Sequence, residues 1–307
     1  MPAALAGRAD ALARYAPLIP EFDAFLAALQ RPLPMEIRVN TLKAEPYAIR
    51  RRLEAHGADV RPLPWYDAAF VVERLESTGT TLDYFLGHYH PQGSTSMLPP
   101  LALAPGAEDV VLDLCAAPGS KSSQLAQLMG NRGLLIANDV GPRRVKALAA
   151  NLERLGVTNA IVTVYRGQNF PSRLRFTRVL VDAPCTGEGT YRAIAGRYRG
   201  ATAETIERMG RQQKLLLLRA FDLLEPGGTL VYSTCTYAPE ENEAVIDHLL
   251  RERPAVVIPL DLPCPHAPGV TAWDGRSFRD EVRRCARLYP HQVDSWGFFL
   301  AKVARHG

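Results

Sequence analysis

The 307-residue sequence has no apolar run approaching the roughly 20 residues that cross a membrane. Its first 17 residues, MPAALAGRADALARYAP, contain no apolar segment of the signal-peptide kind, which predicts a cytoplasmic protein. Its five cysteines form no CxxC pair, so their spacing predicts neither a zinc site nor a disulfide framework. A strong net charge is also missing: 36 basic and 32 acidic residues leave +4, which alone indicates no particular partner.

The composition is that of a globular protein, with 47% hydrophobic and 22% charged residues, and excludes wholesale disorder. The length predicts two domains, or one domain with an extension. Residues 1–95 read as a small α+β unit, with helical spacing over 10–30, strand alternation over 35–43 and a helix over 46–57 that stops at a glycine. The segment HYHPQGSTSMLPP, residues 88–100, is rich in turn residues and predicts a connector.

Residues 96–307 show a different pattern, in which short apolar strands alternate with helices. The predicted strands include VVLDLC, LLIAND, AIVTVY, VLVDAPC and LVYSTCT, and long helices are predicted over 202–228 and from 239. This alternation predicts an α/β fold with a doubly wound, mostly parallel sheet that helices cover on both faces. The late segment GFFLAKVAR predicts a final strand at an antiparallel edge of that sheet.

In such a sheet, ligands bind beyond the carboxyl ends of the strands. The loop from Cys115 to Lys121 follows the first strand, and its proline and glycine let backbone amides approach a ligand closely, although a plain tight turn is the alternative. Asp139 ends the second strand, where it can accept hydrogen bonds from ribose hydroxyls or simply begin the next helix. Together the two features suggest a cofactor of adenosine type.

Two cysteines, Cys185 and Cys235, follow two later strands of the same predicted sheet in polar loops. We expect them to converge on one cleft, which favours a chemical role over the structural role common for buried cysteines. Cys235 lies four positions before Pro239, the first residue of PEENEAVID, a predicted helix start that would lower the pKa of its thiol. Cys264 and Cys285 lie outside this pattern, and we predict a structural role for both.

Positive charge is densest between Arg166 and Arg199, where seven arginines face only Asp182 and Glu188. This stretch is a candidate for contacts to the phosphates of a polyanion. A solvated surface loop in an arginine-rich sequence is the alternative, and charge alone leaves both interpretations open.

The segments LDLCAAPGSK, VLVDAPCTGEG and LVYSTCT resemble the RNA cytosine-5 methyltransferases of the Sun (RsmB) type. Supporting matches are RVNTL at residues 38–42, SMLPP at 96–100, RLYPH at 287–291 and GFFLAK at 297–302, so that the resemblance covers about residues 30–304. It implies a Rossmann-like methyltransferase domain over 96–307 that uses S-adenosylmethionine, preceded by an RNA-contacting module over 1–95.

The resemblance also implies roles for single residues. Cys235 would add to C6 of the target cytosine, Cys185 would assist its release, and Asp182 would hold the cytosine edge. Arg38 and Asn40 of RVNTL would contact RNA. The S-adenosylmethionine site would comprise Cys115, Ala116, Ala117, Pro118, Gly119, Ser120, Lys121, Asp139, Arg144 and Asp182. Arg166 stands where the family usually has an aspartate on the adenine amine, so the adenine is held otherwise or the cofactor binds more weakly.

The function predicted in this way is methylation of cytosine C5 in structured RNA, with ribosomal RNA favoured and transfer RNA as the alternative. No metal ion or membrane partner is expected. A DNA cytosine methyltransferase fits less well, because such enzymes usually take their nucleophile from the loop that carries Cys185. A second alternative is a catalytically weak, RNA-binding ribosome-assembly factor with a methyltransferase fold, which Arg166 permits.

Overall fold

Two β-sheets organise the chain in a computed structural model that describes residues 12–193 and 200–306. The helices are α1 (Phe22–Leu29), α2 (Pro46–Ala55), α3 (Leu82–Phe85), α4 (Ser94–Leu103), α5 (Ser120–Leu128), α6 (Pro142–Arg154), α7 (Ala203–Asp222), α8 (Glu243–Glu252) and α9 (Pro290–Val293). The strands are β1 (Met35–Val39), β2 (Asp59–Pro62), β3 (Ala69–Glu73), β4 (Tyr89–Pro91), β5 (Val110–Asp113), β6 (Leu134–Asn138), β7 (Ala160–Thr163), β8 (Phe176–Asp182), β9 (Leu224–Thr234), β10 (Ala255–Ile258), β11 (Ala267–Pro268), β12 (Ala272–Trp273), β13 (Arg276–Ser277), β14 (Ala286–Leu288) and β15 (Phe298–Arg305).

The smaller sheet is antiparallel, with strand order β2-β3-β1-β4. Its alternating apolar side chains, such as Ile37 and Val72, pack with Ile49 and Leu53 of α2 into one core. Because strand side chains alternate between faces and α2 repeats its apolar residues one turn apart, each element offers a single apolar face to this core.

The larger sheet runs β11-β14-β15-β9-β8-β5-β6-β7, and β10 pairs with β15. Strands β5 to β9 pair in parallel, which confirms the predicted fold class. The final strand β15 is antiparallel to β9 as expected, but the prediction that it forms the edge is wrong, since β14 and β10 pair with it as well. These outer strands have two to four residues each, too few for alternation to reveal them.

The predicted connector over 88–100 is largely regular structure, because β4 is followed by the buried helix α4. Pro100 lies inside α4 and has no N–H for the carbonyl of Ser96. Gln92 Nε2 donates to that carbonyl at 3.2 Å instead. At the start of the helix, Glu36 Oε2 accepts from the Ser94 N–H at 2.7 Å. The side chains of Gln92 and Glu36 therefore pair backbone groups that helix α4 itself leaves without a partner, so the segment folds as a helix despite its turn residues.

Two helix boundaries also differ from those predicted. Helix α7 ends at Asp222 rather than near 228, and α8 begins at Glu243 rather than at 239. Residues 239–242 form turns, in which the Asn242 side chain accepts from Thr234 Oγ1 at 2.6 Å and donates to the Thr236 carbonyl at 3.0 Å. The prediction of a helix N-terminus shortly after Cys235 is therefore wrong.

The segment 12–29 packs away from the smaller sheet. Tyr15 and Phe25 form edge contacts with Tyr237, at ring-centroid distances of 6.0 and 5.3 Å, and Phe25 also meets Tyr289. This aromatic cluster anchors the segment beside the loop that follows β9. Across residues 12–193 and 200–306, no helix has both the length and the apolar character needed to span a membrane.

Candidate active site

The two predicted reactive thiols lie side by side. Cys185 follows β8 and Cys235 follows β9, neighbouring parallel strands whose ends are in register at Asp182 and Ser233. The two Sγ atoms are 3.3 Å apart. This hydrogen bond with Cys235, together with burial, raises the pKa of the Cys185 thiol and favours its neutral form.

The Cys235 loop requires a glycine beside it. The Gly189 N–H donates to the Cys235 carbonyl at 2.8 Å, and Gly189 also accepts from the Gly297 N–H at 2.9 Å. A Cβ at position 189 would lie 2.1 Å from the Gly297 carbonyl oxygen and 2.9 Å from the Cys235 carbonyl oxygen. Only a residue without a side chain allows the backbones to approach this closely.

Both thiols line a cavity of about 490 Å³ at the carboxyl ends of the strands, which we call the strand-end cavity. Its wall also includes Asp139, Arg144, Arg166, Gln168 and Asp182. The cavity therefore joins the sulfur atoms to the residues predicted for an adenosine-type ligand. Gln168 had no assigned role in the sequence, because it lies in a short 3₁₀ turn that no motif marks.

Asp182 is held with both carboxylate oxygens engaged. Lys121 Nζ donates to Oδ2 at 2.7 Å, and Ser233 Oγ donates to Oδ1 at 2.8 Å. Lys121 also lies 5.3 Å above the Phe298 ring, in cation–π contact. The carboxylate thus keeps one orientation at the cavity wall, where its remaining lone pairs can accept from a ligand.

Asp139 fixes the loop between β5 and α5. Its carboxylate accepts from the N–H groups of Ala117, at 3.3 Å, and Gly141, at 2.9 Å, and pairs with Arg144 at 3.2 Å. Arg144 in turn donates to the Ala117 carbonyl at 2.6 Å. Gly119 precedes α5 with φ +105°, a left-handed conformation that favours glycine. Both interpretations of Asp139, as helix starter and as wall of a ligand site, are compatible with this arrangement.

A second cavity, of about 390 Å³, adjoins the first at Cys115, Ala117 and Asp182. It is lined by the predicted loop residues Cys115, Ala116, Ala117, Pro118, Ser120 and Lys121. Asp113 also lines it, and burial raises the pKa of this carboxyl to about 7. Ser122 donates to Asp113 Oδ2 at 2.7 Å, whereas the buried Oδ1 has no hydrogen-bond partner. The sequence analysis assigned no role to Asp113, although its position at the end of an apolar strand was a signal for one.

Arg38 is fully buried, so its predicted contact with RNA would require the guanidinium to become exposed. Its guanidinium donates to Gln92 at 2.8 Å, to Ser123 Oγ at 2.7 Å and to Gln127, and we call these four residues the Arg38 cluster. Burial lowers the pKa of Arg38 to about 10. Asn40 is buried too, and donates to two backbone carbonyls at 2.9 and 2.7 Å. Arg38 and Asn40 of RVNTL therefore join β1 to α5 and to neighbouring loops.

The arginine-rich stretch does not form one surface. Arg192 is buried and donates to two backbone carbonyls near residues 31–32, and Arg178 faces Asp109 at 3.7 Å. Arg166 and Arg173 are exposed. Arg197 and Arg199 lie outside the described residues. The part of the stretch available for phosphate contacts is accordingly smaller than the sequence suggested.

Comparison with known families and structures agrees with this geometry. Residues 100–304 match the family model described as 16S rRNA methyltransferase RsmB/F. Residues 11–94 match the N-terminal domain of 16S rRNA methyltransferase RsmF. A methyltransferase homologue from Pyrococcus horikoshii, known as a crystal structure, superimposes with a TM-score of 0.86 at 35% identity, over 99% of both chains.

Curated relatives are about 40% identical to this chain over the aligned residues. A tRNA (cytosine(49)-C(5))-methyltransferase of Pyrococcus abyssi is 41% identical over 92% of each chain. Ribosomal RNA small subunit methyltransferase F of Vibrio atlanticus is 39% identical over 93% of this chain but 60% of its own. The human 28S rRNA (cytosine(4447)-C(5))-methyltransferase is 40% identical over 93% of this chain and 36% of its own. The chain therefore belongs to the RsmB/RsmF family of RNA cytosine-C5 methyltransferases.

Proposed function

We propose that this protein transfers a methyl group from S-adenosylmethionine to C5 of a cytosine in structured RNA, through a covalent bond between Cys235 and C6. The observation that carries this proposal is the pair of thiols, 3.3 Å apart, on the wall of a cavity that also holds Asp182 and Asp139. Addition to C6 needs one thiol as the nucleophile. The later release of that thiol from C6 gives a role to the second one.

The residues present fit S-adenosylmethionine. Asp139 is buried yet lines the strand-end cavity, where its carboxylate would hold the ribose hydroxyls. The unpartnered Oδ1 of Asp113 would accept from the amino group of the methionine part, beside Ser120 and Lys121. When bound, S-adenosylmethionine supplies an electrophilic methyl group. Arg166 and Gln168 line the strand-end cavity, as Asp139 does, and would contact the adenine in place of the family's aspartate.

Cys235 would act as the nucleophile. Its thiolate forms the S–C6 bond, and the electrons of the C5–C6 double bond then make C5 nucleophilic. Asp182 would accept from the exocyclic N4 amine, as carboxylates do for cytosine. Its fixed orientation, set by Lys121 and Ser233, would hold the ring with C6 toward sulfur.

Cys185 would assist release. Because its pKa is raised, it is a neutral thiol 3.3 Å from the Cys235 sulfur. Loss of the C5 proton restores the C5–C6 double bond and breaks the S–C6 bond, while Cys185 donates its proton to the departing sulfur. The C5 proton then replaces the one that Cys185 gave up. The Cys235 thiol loses its proton to solvent before the next addition, and this is the one proton that replacing C5–H by C5–CH3 releases.

Ribosomal RNA is the proposed substrate, because both matching family models are named for 16S rRNA enzymes. Transfer RNA is the second candidate, supported by the relative from Pyrococcus abyssi that is 41% identical. The target cytosine must leave its stack to reach both thiols, which favours a loop or an easily opened pair.

The test is methyl transfer from labelled S-adenosylmethionine to separated rRNA and tRNA fractions from a strain that lacks this gene. We expect label at C5 of one cytosine, and bisulfite sequencing should show the same position unmethylated in the deletion strain. Label in tRNA alone would select the second candidate. RNA binding without any methyl transfer would contradict the proposal and favour an assembly factor.

A further inference from the structure

Each of the two cysteines is followed by a threonine, and the two threonine side chains meet behind the thiols. Thr186 Oγ1 and Thr236 Oγ1 are 2.9 Å apart. Since Thr186 is bonded to Cys185 and Thr236 to Cys235, this contact ties the two loops together one residue beyond the sulfur atoms. Neither threonine lines the strand-end cavity, so neither is placed to touch the cytosine.

Each threonine also contacts a buried carboxyl group. Thr186 meets Glu241 twice, with 2.5 Å between Oγ1 and Oε1 and 3.1 Å between its N–H and Oε2. Thr236 Oγ1 lies 2.9 Å from Glu188 Oε2. Glu241 is 0% and Glu188 1% exposed, and Gln213 also donates to Glu241 at 2.8 Å. We call Glu241, Thr186, Thr236 and Glu188 the threonine–carboxyl chain.

The chain needs one proton more than its hydroxyls provide. Its three oxygen–oxygen contacts run from Glu241 to Thr186, from Thr186 to Thr236, and from Thr236 to Glu188. Two hydroxyl groups carry two protons, so the third contact requires a protonated carboxyl. Burial raises the pKa of Glu241 to about 7, in keeping with a proton held at that end.

We propose that Thr186 and Thr236 are positioning residues, which set the separation of the two thiols through this proton-sharing chain. The inference rests on the proposed function, because it assigns Thr186 to the release step of Cys185 and Thr236 to the addition step of Cys235. Loss of the Thr186 hydroxyl would free the Cys185 loop and leave the adduct unresolved. Loss of the Thr236 hydroxyl would displace the nucleophile and slow formation of the adduct.

The experiment compares Thr186→Val and Thr236→Val in the full chain, with Thr177→Val as the matched control. Thr177 also donates a partly buried hydrogen bond to a carboxylate, that of Asp109 at 2.6 Å. It lies near the start of β8, at the end of the strand far from Cys185. Thr186→Ser and Thr236→Ser retain the hydroxyl and should restore wild-type behaviour. Covalent RNA–protein adducts are counted on denaturing gels at saturating RNA, with ordinary and with 5-fluorocytosine-containing substrate.

With ordinary RNA, Thr186→Val should accumulate adduct about tenfold or more above wild type. With 5-fluorocytosine RNA, Thr236→Val should form adduct about 10- to 100-fold more slowly, the penalty expected when a reacting group moves by an ångström. The opposite direction of the two effects is the decisive result, since general destabilisation would reduce both signals in parallel.

Cys235→Ala separates the possible failures. If Cys235→Ala abolishes the adduct but both valine variants behave like Thr177→Val, the positioning role is refuted while the proposed function stands. An adduct that survives Cys235→Ala refutes the proposed function and the inference together. Should the valine variants fail to fold, serine variants that do not restore wild-type adduct levels would equally overturn the positioning role.

Discussion

Two of the buried polar clusters among the described residues, the Arg38 cluster and the threonine–carboxyl chain, hold loops in place by different means. In the Arg38 cluster, one fully buried guanidinium donates to neutral side chains of β4, α5 and their surroundings. In the threonine–carboxyl chain, two carboxyl groups share protons with two hydroxyls. The first joins the smaller sheet to the helix that follows the loop at 115–121, and the second lies directly behind the thiols.

The comparison indicates that one buried polar cluster contributes to stability alone, whereas the other also affects the reaction. Arg38 satisfies neutral acceptors at all times, so its contribution to the folded state is expected to be independent of the reaction. The threonine–carboxyl chain carries a titrating group and stands one residue from each thiol, so changes there should alter the reaction steps and the pH dependence. Variants in the two clusters should therefore give distinct signatures.

The largest expected effect on stability comes from Arg38→Ala. Removal of the guanidinium leaves acceptors on Gln92 and Gln127 buried without a donor, each costing about 1–3 kcal/mol, so we expect the free energy of unfolding to fall by about 3 kcal/mol or more. Urea unfolding measures this loss. RNA affinity, measured on the folded fraction, should remain unchanged, and a normally stable variant that fails to bind RNA would reverse this conclusion.

A smaller, pH-dependent effect is expected for Glu241→Gln. The folded-state pKa of Glu241, about 7, lies above its ordinary value of 4.5, so the folded protein holds more protons and loses stability as the pH rises through this window. The neutral amide lacks this titration and can still donate to Thr186. The difference in unfolding free energy, wild type minus variant, should fall by about 2–3 kcal/mol between pH 5 and pH 8.

The titratable groups facing Glu241 are Glu188, Cys185 and Tyr232, and all three remain in the variant. Asp113, whose pKa is also raised to about 7, is common to both proteins and cancels in the difference. A difference that stays constant from pH 5 to pH 8 would show that Glu241 does not hold the shared proton.

The smallest expected effect is that of Tyr15→Phe. The Tyr15 hydroxyl donates to Glu188 Oε2 at 2.7 Å and links the segment 12–29 to the end of the threonine–carboxyl chain. Its loss should cost about 1–2 kcal/mol of unfolding free energy, since Glu188 keeps its contact with Thr236. Tyr47→Phe, at a position 70% exposed, serves as the control and should leave the thermal midpoint unchanged.

Periodicity and strand ends predicted the parallel sheet and the approach of Cys185 to Cys235, because residues that follow neighbouring parallel strands meet at one edge. The same reasoning missed helix α4, in which Gln92 pairs the carbonyl that Pro100 cannot, and it did not foresee the burial of Arg38. It also missed Glu241, which lies 55 positions from Thr186 and meets it only through the fold. Partners that distant carry no local pattern in the sequence.

The most direct test of the central claim is to locate the covalent bond. After reaction with 5-fluorocytosine RNA and digestion with nuclease and trypsin, mass spectrometry distinguishes peptide 220–251, which contains Cys235, from peptide 179–192, which contains Cys185. We expect the nucleotide mass on Cys235 alone. A nucleotide bound to Cys185 would contradict the assignment of the two thiols and, with it, the proposed order of addition and release.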